Sequence, residues 1–600
     1  MAQLIADRRD IDFVLHEQLE VENLTKAEKF SEFGKKTIDL IVSEARNLAV
    51  KEMLPLQKPS DEGCEFKNGE VKVPEGFHKA MEAYNDGEWL AMTDDPQWGG
   101  QGMPKSVAMA ANEYFYGACN SFMLYNLLTH GAAKLVETFG TDDQKKTYLT
   151  NMLSGKWAGT MLLTEPDAGS DLAAVATIAR DNGDGTYSLE GNKIFISGGE
   201  QNLTENIIHP VLARLEDAPE GIKGISLFLA PKYRLNDDGT PGEFNHVVCT
   251  GIEEKMGLHG SSTCSLELGG KGQCTATLLG EKNKGMAAMF LMMNEARQMV
   301  GLQGFANASA SYLYAVNYAR ERLQSKGLTD PAGSKAVSII NHPDVKRQLL
   351  MMKSWVEGMR SLVYYGGLCH DRIAISSDEV EKKQLSTLLE VLTPIIKGYV
   401  TDKAFEICNH GIQIYGGYGF IEELPGAQLL RDSRILMLYE GTNGIQSMDL
   451  MGRKLTMYNG EPFQHFLDQI QRVISVSKEV ATVQPLAETL ETFFAEYTEI
   501  AQHLAHMPQS GKVLEAFAFS HPFMEVTGDL VMAWMLLWRA GVAAPKIGIK
   551  KKDTAFYQGQ VQTARFFINT ILPITRGRLE AIRRGDAVAA EMEDAAFGGK

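Results

Sequence analysis

The chain contains 600 residues, with 59 basic and 76 acidic side chains and a formal net charge of −17. This length exceeds the size at which a single hydrophobic core stops growing, so we expect several domains. A chain this acidic has no general electrostatic attraction to phosphate backbones, which argues against a nucleic-acid-binding protein.

The first part of the chain has a helical pattern. Its N-terminus contains an early Asp and no long apolar run, so we expect neither a signal peptide nor a transit peptide there. Residues 34–55 carry apolar side chains at spacings of three and four and end at a proline, and residues 106–140 continue the helical pattern. These patterns predict an N-terminal extension, 1–38, followed by a helical domain, 39–158.

The pattern changes near residue 160. Short β-rich runs alternate with Asp-Gly and Gly-Gly turn signals; "TYSLEGNKIFIS" (186–197), for example, follows "NGDG". Alternation at period two between such breaks is typical of antiparallel sheet. We therefore predict a middle β domain of sandwich or barrel type, 159–283.

Long helical patterns return after residue 284. Four of them have apolar faces and short connections, which predicts a four-helix bundle domain, 284–456. The predicted helices of this bundle span 286–323, 342–368, 379–413 and 427–438. The order of helices, sheet, bundle and further helices predicts an α+β fold.

An extra helical domain is predicted at 466–600. Its most apolar stretch, "LVMAWMLLW" (530–538), is flanked by Asp529 and Arg539 and is too short to span a bilayer. We expect a buried helix here and no transmembrane segment. Contact of this stretch with a membrane surface or a partner is the alternative.

The seven cysteines are scattered along the chain. No pair has CxxC spacing, and no His/Cys cluster has the spacing of zinc ligands. This usage predicts no metal site and is typical of a protein in a reducing cytoplasm.

Two motifs lie in the predicted β domain. "LLTEPDAGSDL" (162–172) combines small residues, which let backbone approach a ligand, with the hydroxyls of Thr164 and Ser170. In "NKIFISGGE", Phe195 and Ser197 are two residues apart on a strand, so they share a face that would suit a planar aromatic ligand. An ordinary turn and an ordinary strand are the alternatives.

Two further motifs lie on the first long helix of the bundle. Asn294 and Arg297 are at positions i and i+3, so they project from one side of this helix. Arg322 and Gln324 lie at its end and are available to anionic or polar groups. For Arg322, simple complementation of the helix dipole is the alternative.

Glu440 is the strongest candidate for chemistry. In "RILMLYEGTN" it follows an apolar run and immediately precedes a Gly-Thr-Asn turn, which suggests an acid held in a defined direction. The alternative is an acid that merely ends a surface helix. Nearby, Gly416, Gly417 and Gly419 follow a helix rather than a strand, which excludes a Rossmann dinucleotide site.

Six motifs together, "TEPDAGSD", "KIFIS", "EARQMVG", "ARER", "QIYGGYGF" and "LYEGTNGIQ", resemble the acyl-CoA dehydrogenase flavoprotein family in order and spacing. The resemblance covers about residues 39–455. The helical tail is similar to that of the longer branch of this family, which includes 3-(methylthio)propanoyl-CoA dehydrogenases and related bacterial fatty acyl-CoA dehydrogenases. The resemblance implies an N-terminal helical domain, a middle β domain, a four-helix bundle and an extra C-terminal domain.

The resemblance also implies roles for individual residues. Glu440 matches the catalytic base, and Ala296 occupies the position from which a minority of relatives supply it. Phe195 stands where many relatives have Trp, Asn294 stands where Asp is usual, and "LQSKGL" departs from the usual sequence after Arg322. The residues implied to bind FAD are Leu163, Thr164, Gly169, Ser170, Phe195, Ser197, Arg322, Gln324, Gln413, Gly416, Gly417 and Thr442. Those implied to bind the acyl-CoA are Ser170, Asn294, Arg297, Glu440 and Gly441.

The activity implied is α,β-desaturation of an acyl-CoA thioester, with electrons passed to an electron-transferring flavoprotein. Possible substrates are 3-(methylthio)propanoyl-CoA and medium- or long-chain fatty acyl-CoA. An acyl-CoA oxidase and a DNA-binding flavoprotein without dehydrogenase activity are the alternatives. Because the family's FAD contacts cross a subunit boundary and the tail can replace a second dimer, we expect a homodimer.

Overall fold

A computed structural model describes residues 3–549 and 551–599. The chain forms two compact units. The first combines Met1–Asp39, Pro104–Glu113 and Val300–Lys600, and the second combines Leu40–Met103 and Tyr114–Met299.

The helical pattern predicted for the first part of the chain is present. These helices are α1 (Arg8–Phe13), α2 (Lys35–Leu48), α3 (Gln57–Glu62), α4 (Phe77–Asp86), α5 (Lys105–Ala118), α6 (Asn120–Phe139) and α7 (Asp142–Leu153). A capping box starts α7, since Thr141 and Gln144 each satisfy a backbone N–H of the other.

The second unit contains the strands. They are β1 (Glu65–Lys67), β2 (Glu70–Lys72), β3 (Trp157–Gly159), β4 (Ile178–Asp181), β5 (Thr186–Ser197), β6 (Asn206–Leu215), β7 (Ile225–Pro231), β8 (Tyr233–Leu235), β9 (Pro241–Phe244), β10 (Val247–Ile252), β11 (Thr263–Leu268) and β12 (Cys274–Leu278). Among the described residues, β1 and β2 pair with each other, as do β8 and β9, and the other eight strands form one sheet.

Five strands of this sheet close a barrel. Strands β5, β12, β7 and β6 pair in turn, and β4 pairs with both β6 and β5, so the circle is complete. Of the two predicted types, sandwich or barrel, the structure shows a barrel, with β11 and β10 extending it from β5. The expectation of purely antiparallel pairing was wrong for β3 and β4, which both run parallel to β6. The reason is that alternating apolar and polar residues in the sequence indicate which face of a strand is buried. They do not indicate whether the neighbouring strand runs parallel or antiparallel.

The bundle helices lie close to their predicted bounds. They are α8 (Gly285–Glu321), α9 (Pro343–Ile375), α10 (Glu379–Pro394), α11 (Val400–Tyr415), α12 (Pro425–Arg434) and α13 (Asn443–Asp449). Pro394 has no N–H to donate, and a π-helical turn, Ile395–Tyr399, joins α10 to α11 directly after it. The fourth predicted helix ends four residues early, at Arg434.

The C-terminal extension is helical, as predicted. Its helices are α14 (Glu461–Lys478), α15 (Gln484–His506), α16 (Val513–Ala518), α17 (Ser520–Ala543), α18 (Thr554–Phe566), α19 (Leu572–Arg584) and α20 (Val588–Glu591). The segment Ser520–Lys546 is long and apolar enough to cross a membrane, but 83% of its most apolar window is buried within the protein. The apolar stretch at 530–538 is thus part of a buried helix, as expected.

A buried ion network joins the extension to the rest of the first unit. Asp10 of α1 pairs with Arg360 of α9 and with Arg539 of α17. Arg360 also donates from Nε to Oε2 of Glu113 on α5, at 3.0 Å. Burial alone raises the pKa of Asp10, but the two guanidinium groups lower it to about 2. Breaking a buried pair of this kind costs about 3–5 kcal/mol, so the extension is an integral part of this unit.

Candidate active site

The turn at 162–172 and strand β5 are held together in the second unit. The N–H of Ile194 donates to the carbonyl of Thr164 at 2.9 Å. The ammonium of Lys193 donates to the carbonyl of Leu163 at 3.1 Å and to Oε1 of Glu165 at 2.7 Å. These bonds bring Leu163 and Thr164, from the motif at 162–172, next to strand β5, which carries the motif with Phe195 and Ser197. Gly169 and Ser170 are exposed further along the same turn.

Phe195 lies on a β-bulge. Lys193 pairs with Leu266 and Ile196 pairs with Cys264, so two residues of β5 face one residue of β11. Phe195 has φ +59°, a left-handed conformation that is strained for an aromatic residue, and its side chain is 59% exposed. Ile196 is buried between Phe195 and Ser197, which places those two on the opposite side of the strand. An exposed ring held in a strained conformation is typical of a ligand contact.

Asn294 and Arg297 touch on α8. Nη1 of Arg297 donates to Oδ1 of Asn294 at 3.3 Å, as expected for helical positions i and i+3. Asn294 is exposed, whereas Arg297 is buried. Ala296, at the position of the alternative base, is also buried and has no titratable group.

A cavity of about 450 Å³ in the first unit brings together four of the predicted residues: Arg322, Gln324, Gly416 and Gly417. Gln413, which the resemblance also implies to bind FAD, does not line this cavity. It is exposed at the end of α11, where its carbonyl accepts from the N–H of Gly416. The segment after Arg322 is held to the chain further on, since the N–H of Gln324 donates to the carbonyl of Val337 at 3.0 Å.

Sequence reasoning missed three tyrosines of this cavity. Tyr318 and Tyr415 stack with ring centroids 4.2 Å apart, and the guanidinium of Arg322 lies 5.6 Å from the ring centroid of Tyr418. Tyr318 precedes Arg322 by four residues, so helical spacing alone places it on the same face. The cavity therefore combines one cation, aromatic faces and exposed glycine backbone.

Glu440 lies on a turn and not on a helix. It is half-buried, six residues beyond the end of α12, and has φ +54°, followed by Gly441 with φ +81°. Two successive left-handed residues need glycine or a strained side chain, which explains the glycine after the acid. Thr442 then caps α13, as its predicted position implies, since Oγ1 accepts from the N–H of Ile445 at 3.2 Å. Glu440 thus lies three residues beyond a 3₁₀ turn, Ile435–Met437, in a left-handed conformation between that turn and α13.

Four family profiles cover most of the chain. They are the N-terminal domain of acyl-CoA dehydrogenases over residues 35–156, the middle domain over 160–270, the C-terminal domain over 283–455 and an acetyl-CoA dehydrogenase C-terminal-like domain over 466–593. The chain belongs to the acyl-CoA dehydrogenase family and is an oxidoreductase that acts on CH–CH groups.

Individual relatives match along nearly their whole length. The chain is 38% identical to 3-methylmercaptopropionyl-CoA dehydrogenase of Ruegeria pomeroyi, over 94% of this chain and 95% of the relative. It is 35% identical to a butyryl-CoA dehydrogenase of Syntrophomonas wolfei, over 98% of each chain. The fold is similar to that of an acyl-CoA dehydrogenase from Bacillus anthracis complexed with FAD, with a TM-score of 0.73 at 22% identity, covering 94% of this chain and 90% of that one.

FAD is the cofactor of this family, and the residues present fit it in each unit. In the first unit, a guanidinium suits a pyrophosphate, and tyrosine rings beside Gly416 and Gly417 suit an adenine. In the second unit, the exposed ring of Phe195 and the turn with Gly169 and Ser170 suit a flat ring system.

Proposed function

We propose that the chain desaturates acyl-CoA thioesters between the α- and β-carbons to trans-2-enoyl-CoA, with Glu440 as the catalytic base. The observation that supports this role is the position of Glu440 on a left-handed turn next to a capped helix, where the backbone sets the direction of the carboxylate. Ala296 has no proton acceptor, which disfavours a base on α8.

Each residue then has a defined task. The Glu440 carboxylate takes the α-proton of the thioester, and its backbone N–H donates to the thioester oxygen as negative charge develops there. When bound, FAD supplies the acceptor for the hydride that leaves the β-carbon. Arg322, Gln324, Gln413, Gly416, Gly417 and Thr442 bind this cofactor in the first unit, and Leu163, Thr164, Gly169, Ser170, Phe195 and Ser197 bind it in the second. Ser170, Asn294, Arg297 and Gly441 contact the acyl-CoA.

Replacement of the base tests this assignment. Glu440→Gln is expected to fold, to retain FAD and to lose flavin reduction by about 10²- to 10⁴-fold, because an amide cannot take the proton. Glu295→Gln is the matched control, since this acid adjoins the alternative base position on α8 but points elsewhere around the helix. Normal turnover by Glu440→Gln would exclude Glu440 as the base.

The acyl group is proposed to be 3-(methylthio)propanoyl or a straight chain. The relatives from Ruegeria pomeroyi and Syntrophomonas wolfei carry names for these two kinds of substrate. Anaerobic bleaching of the flavin by a panel of acyl-CoAs, with and without a thioether, ranks them directly. A preference for the straight-chain series at every length would exclude the thioether substrate.

The electron acceptor, assembly and location complete the proposal. We propose an electron-transferring flavoprotein as acceptor, a homodimer and a cytoplasmic location, with domains at 39–158, 159–283, 284–456 and 466–600. Slow reoxidation of the reduced flavin by oxygen, together with fast reoxidation by an electron-transferring flavoprotein, is the expected result. Fast reoxidation by oxygen would instead identify an oxidase.

A further inference from the structure

Asn443, three residues after Glu440, is held on all sides by hydrogen bonds. It is 5% exposed and is the first residue of α13. Its Oδ1 accepts from the ammonium of Lys397 at 2.8 Å. Its Nδ2 donates to the carbonyl of Gly398 at 3.0 Å and to Oδ1 of Asp402 at 2.7 Å. The position of Asn443 therefore determines where the turn of Glu440 enters α13.

The partners of Asn443 come from the π-helical turn and the start of α11. Lys397 and Gly398 belong to the turn Ile395–Tyr399, and Lys397 is fully buried. A π turn widens the helix locally and is frequent at functional sites. Here the π turn supplies both the ammonium of Lys397, which donates to Oδ1 of Asn443, and the carbonyl of Gly398, which accepts from its Nδ2.

The C-terminal extension supports this arrangement from α17. Nε2 of His521 donates to Oδ2 of Asp402 at 3.1 Å, so Asp402 links His521 to Asn443. Three residues further on, Met524 is fully buried, and its sulfur accepts from Oγ of Ser447 on α13 at 3.5 Å.

Gly398 permits this close approach. A Cβ added at Gly398 would lie 2.6 Å from the sulfur of Met524 and 3.3 Å from Cβ of Gln446. The amide of Gln446 in turn donates to the carbonyl of Glu440 at 3.4 Å. One side chain of the extension thus packs against both the π turn and the helix that follows the base.

A second link lies further along α17, at Asp529. The hydroxyl of Tyr399 donates to Oδ1 of Asp529 at 2.6 Å, and Thr575 of α19 donates to Oδ2 at 2.7 Å. All three side chains are buried. The extension therefore contacts the C-terminal end of the π turn at two successive residues, Gly398 and Tyr399.

We propose that the C-terminal extension takes part in catalysis through His521 and Asp402, which are positioning residues that hold Asn443 and thereby direct Glu440. This inference rests on the proposed role of Glu440 as the base. It assigns the extension a task in the chemical step in addition to any role in assembly.

His521 gives the sharpest test because its side chain is 46% exposed, so its loss is compatible with folding. In the full-length FAD-loaded enzyme, His521→Ala is expected to slow anaerobic flavin reduction by about tenfold, because a displaced base is poorly aligned with the α-proton. The dissociation constant of the acyl-CoA stays nearly unchanged, and the isotope effect of α-deuteration on flavin reduction rises. His521→Gln keeps an N–H donor and is expected to restore most of the rate.

Arg576→Gln is the matched control. It removes an ion pair with Glu496, at 3.0 Å and of similar exposure, from α15 and α19 of the same extension. It is expected to leave both the rate and the isotope effect unchanged.

The outcomes separate this inference from the proposed function. Normal turnover by Glu440→Gln overturns both. Loss of turnover by Glu440→Gln, with an unchanged rate and isotope effect in His521→Ala, overturns only the role of the extension. Equal losses in His521→Ala and Arg576→Gln show general destabilisation and also overturn it.

Discussion

Glu165 and Lys193 form a buried ion pair between the turn at 162–172 and strand β5. Oε1 of Glu165 lies 2.7 Å from Nζ of Lys193, and the lysine side chain is fully buried. The ammonium also donates to the carbonyls of Leu163 and Leu212, at 3.1 and 2.8 Å. One lysine thus satisfies three acceptors and attaches a proposed FAD-binding turn to the barrel.

Removal of this lysine is predicted to affect both stability and cofactor retention. Lys193→Met leaves the carboxylate of Glu165 buried without its cation, which costs about 3–5 kcal/mol. A lower melting temperature by differential scanning fluorimetry and faster release of fluorescent FAD are expected. In the double variant Glu165→Leu/Lys193→Met no charge remains buried, so part of the stability should return; the rest stays lost, because the carbonyls of Leu163 and Leu212 and the N–H groups of Ala176 and Thr177 lose their partners. Equal melting temperatures for the single and double variants would contradict the argument.

The strained backbone at Phe195 predicts opposite effects on the protein and on its cofactor. A left-handed conformation costs a non-glycine residue about 1–2 kcal/mol, so Phe195→Gly should stabilise the FAD-free protein. The same change removes the exposed ring, so FAD should bind more weakly. Calorimetry of the FAD-free protein and titration with FAD measure the two effects separately. Phe195→Trp keeps both the strained backbone and an aromatic ring, so it is expected to change the stability of the FAD-free protein and its affinity for FAD only slightly. A Phe195→Gly protein that is less stable than the native chain without FAD would contradict the argument from backbone strain.

Arg322 is predicted to bind the pyrophosphate of FAD. A charge-assisted hydrogen bond contributes about 1.5–3 kcal/mol, so Arg322→Gln should weaken FAD binding about 10- to 100-fold. The salt dependence of FAD binding should also become flatter, because a screened charge has been removed. Arg320→Gln changes an exposed arginine of the same helix end and serves as control. Similar losses in both variants would indicate a general charge effect.

The pair of His130 and Asp94 predicts a pH-dependent contribution to stability. Nε2 of His130 lies 3.0 Å from Oδ2 of Asp94. Burial alone lowers the pKa of His130, but Asp94, aided by Glu295 and opposed by Lys134, raises it above 6.5. The protonated form is favoured in the folded state, so its contribution is fully present below about pH 6.5 and disappears as pH rises through the raised pKa.

The melting temperature of His130→Gln should therefore be furthest below that of the native chain near pH 6 and approach it by pH 9. His78 is an exposed histidine of the same unit, and His78→Gln is the control, with no pH-dependent difference expected. A difference that grows toward pH 9 would have the opposite sign and would exclude the ion pair as its cause.

Features that depend on neighbours in the chain were predictable from sequence. Thr442 caps α13 because its hydroxyl reaches an N–H only three residues away. Asn294 and Arg297 touch because helical geometry brings positions i and i+3 together. The end of α12 at Arg434 was less accessible, because a 3₁₀ turn continues the same apolar pattern to Met437.

Contacts between distant parts of the chain were decided by tertiary structure. Nothing in the local pattern at His521 indicates Asp402 as its partner, and the bulge that exposes Phe195 depends on the register of β5 against β11. By itself, the sequence determined the family, the order of the helical and β segments and the candidate base, because motifs and side-chain periodicity are local properties. Only the folded chain decided the closure of the barrel and the support of the Glu440 turn, because burial and long-range pairing select those contacts.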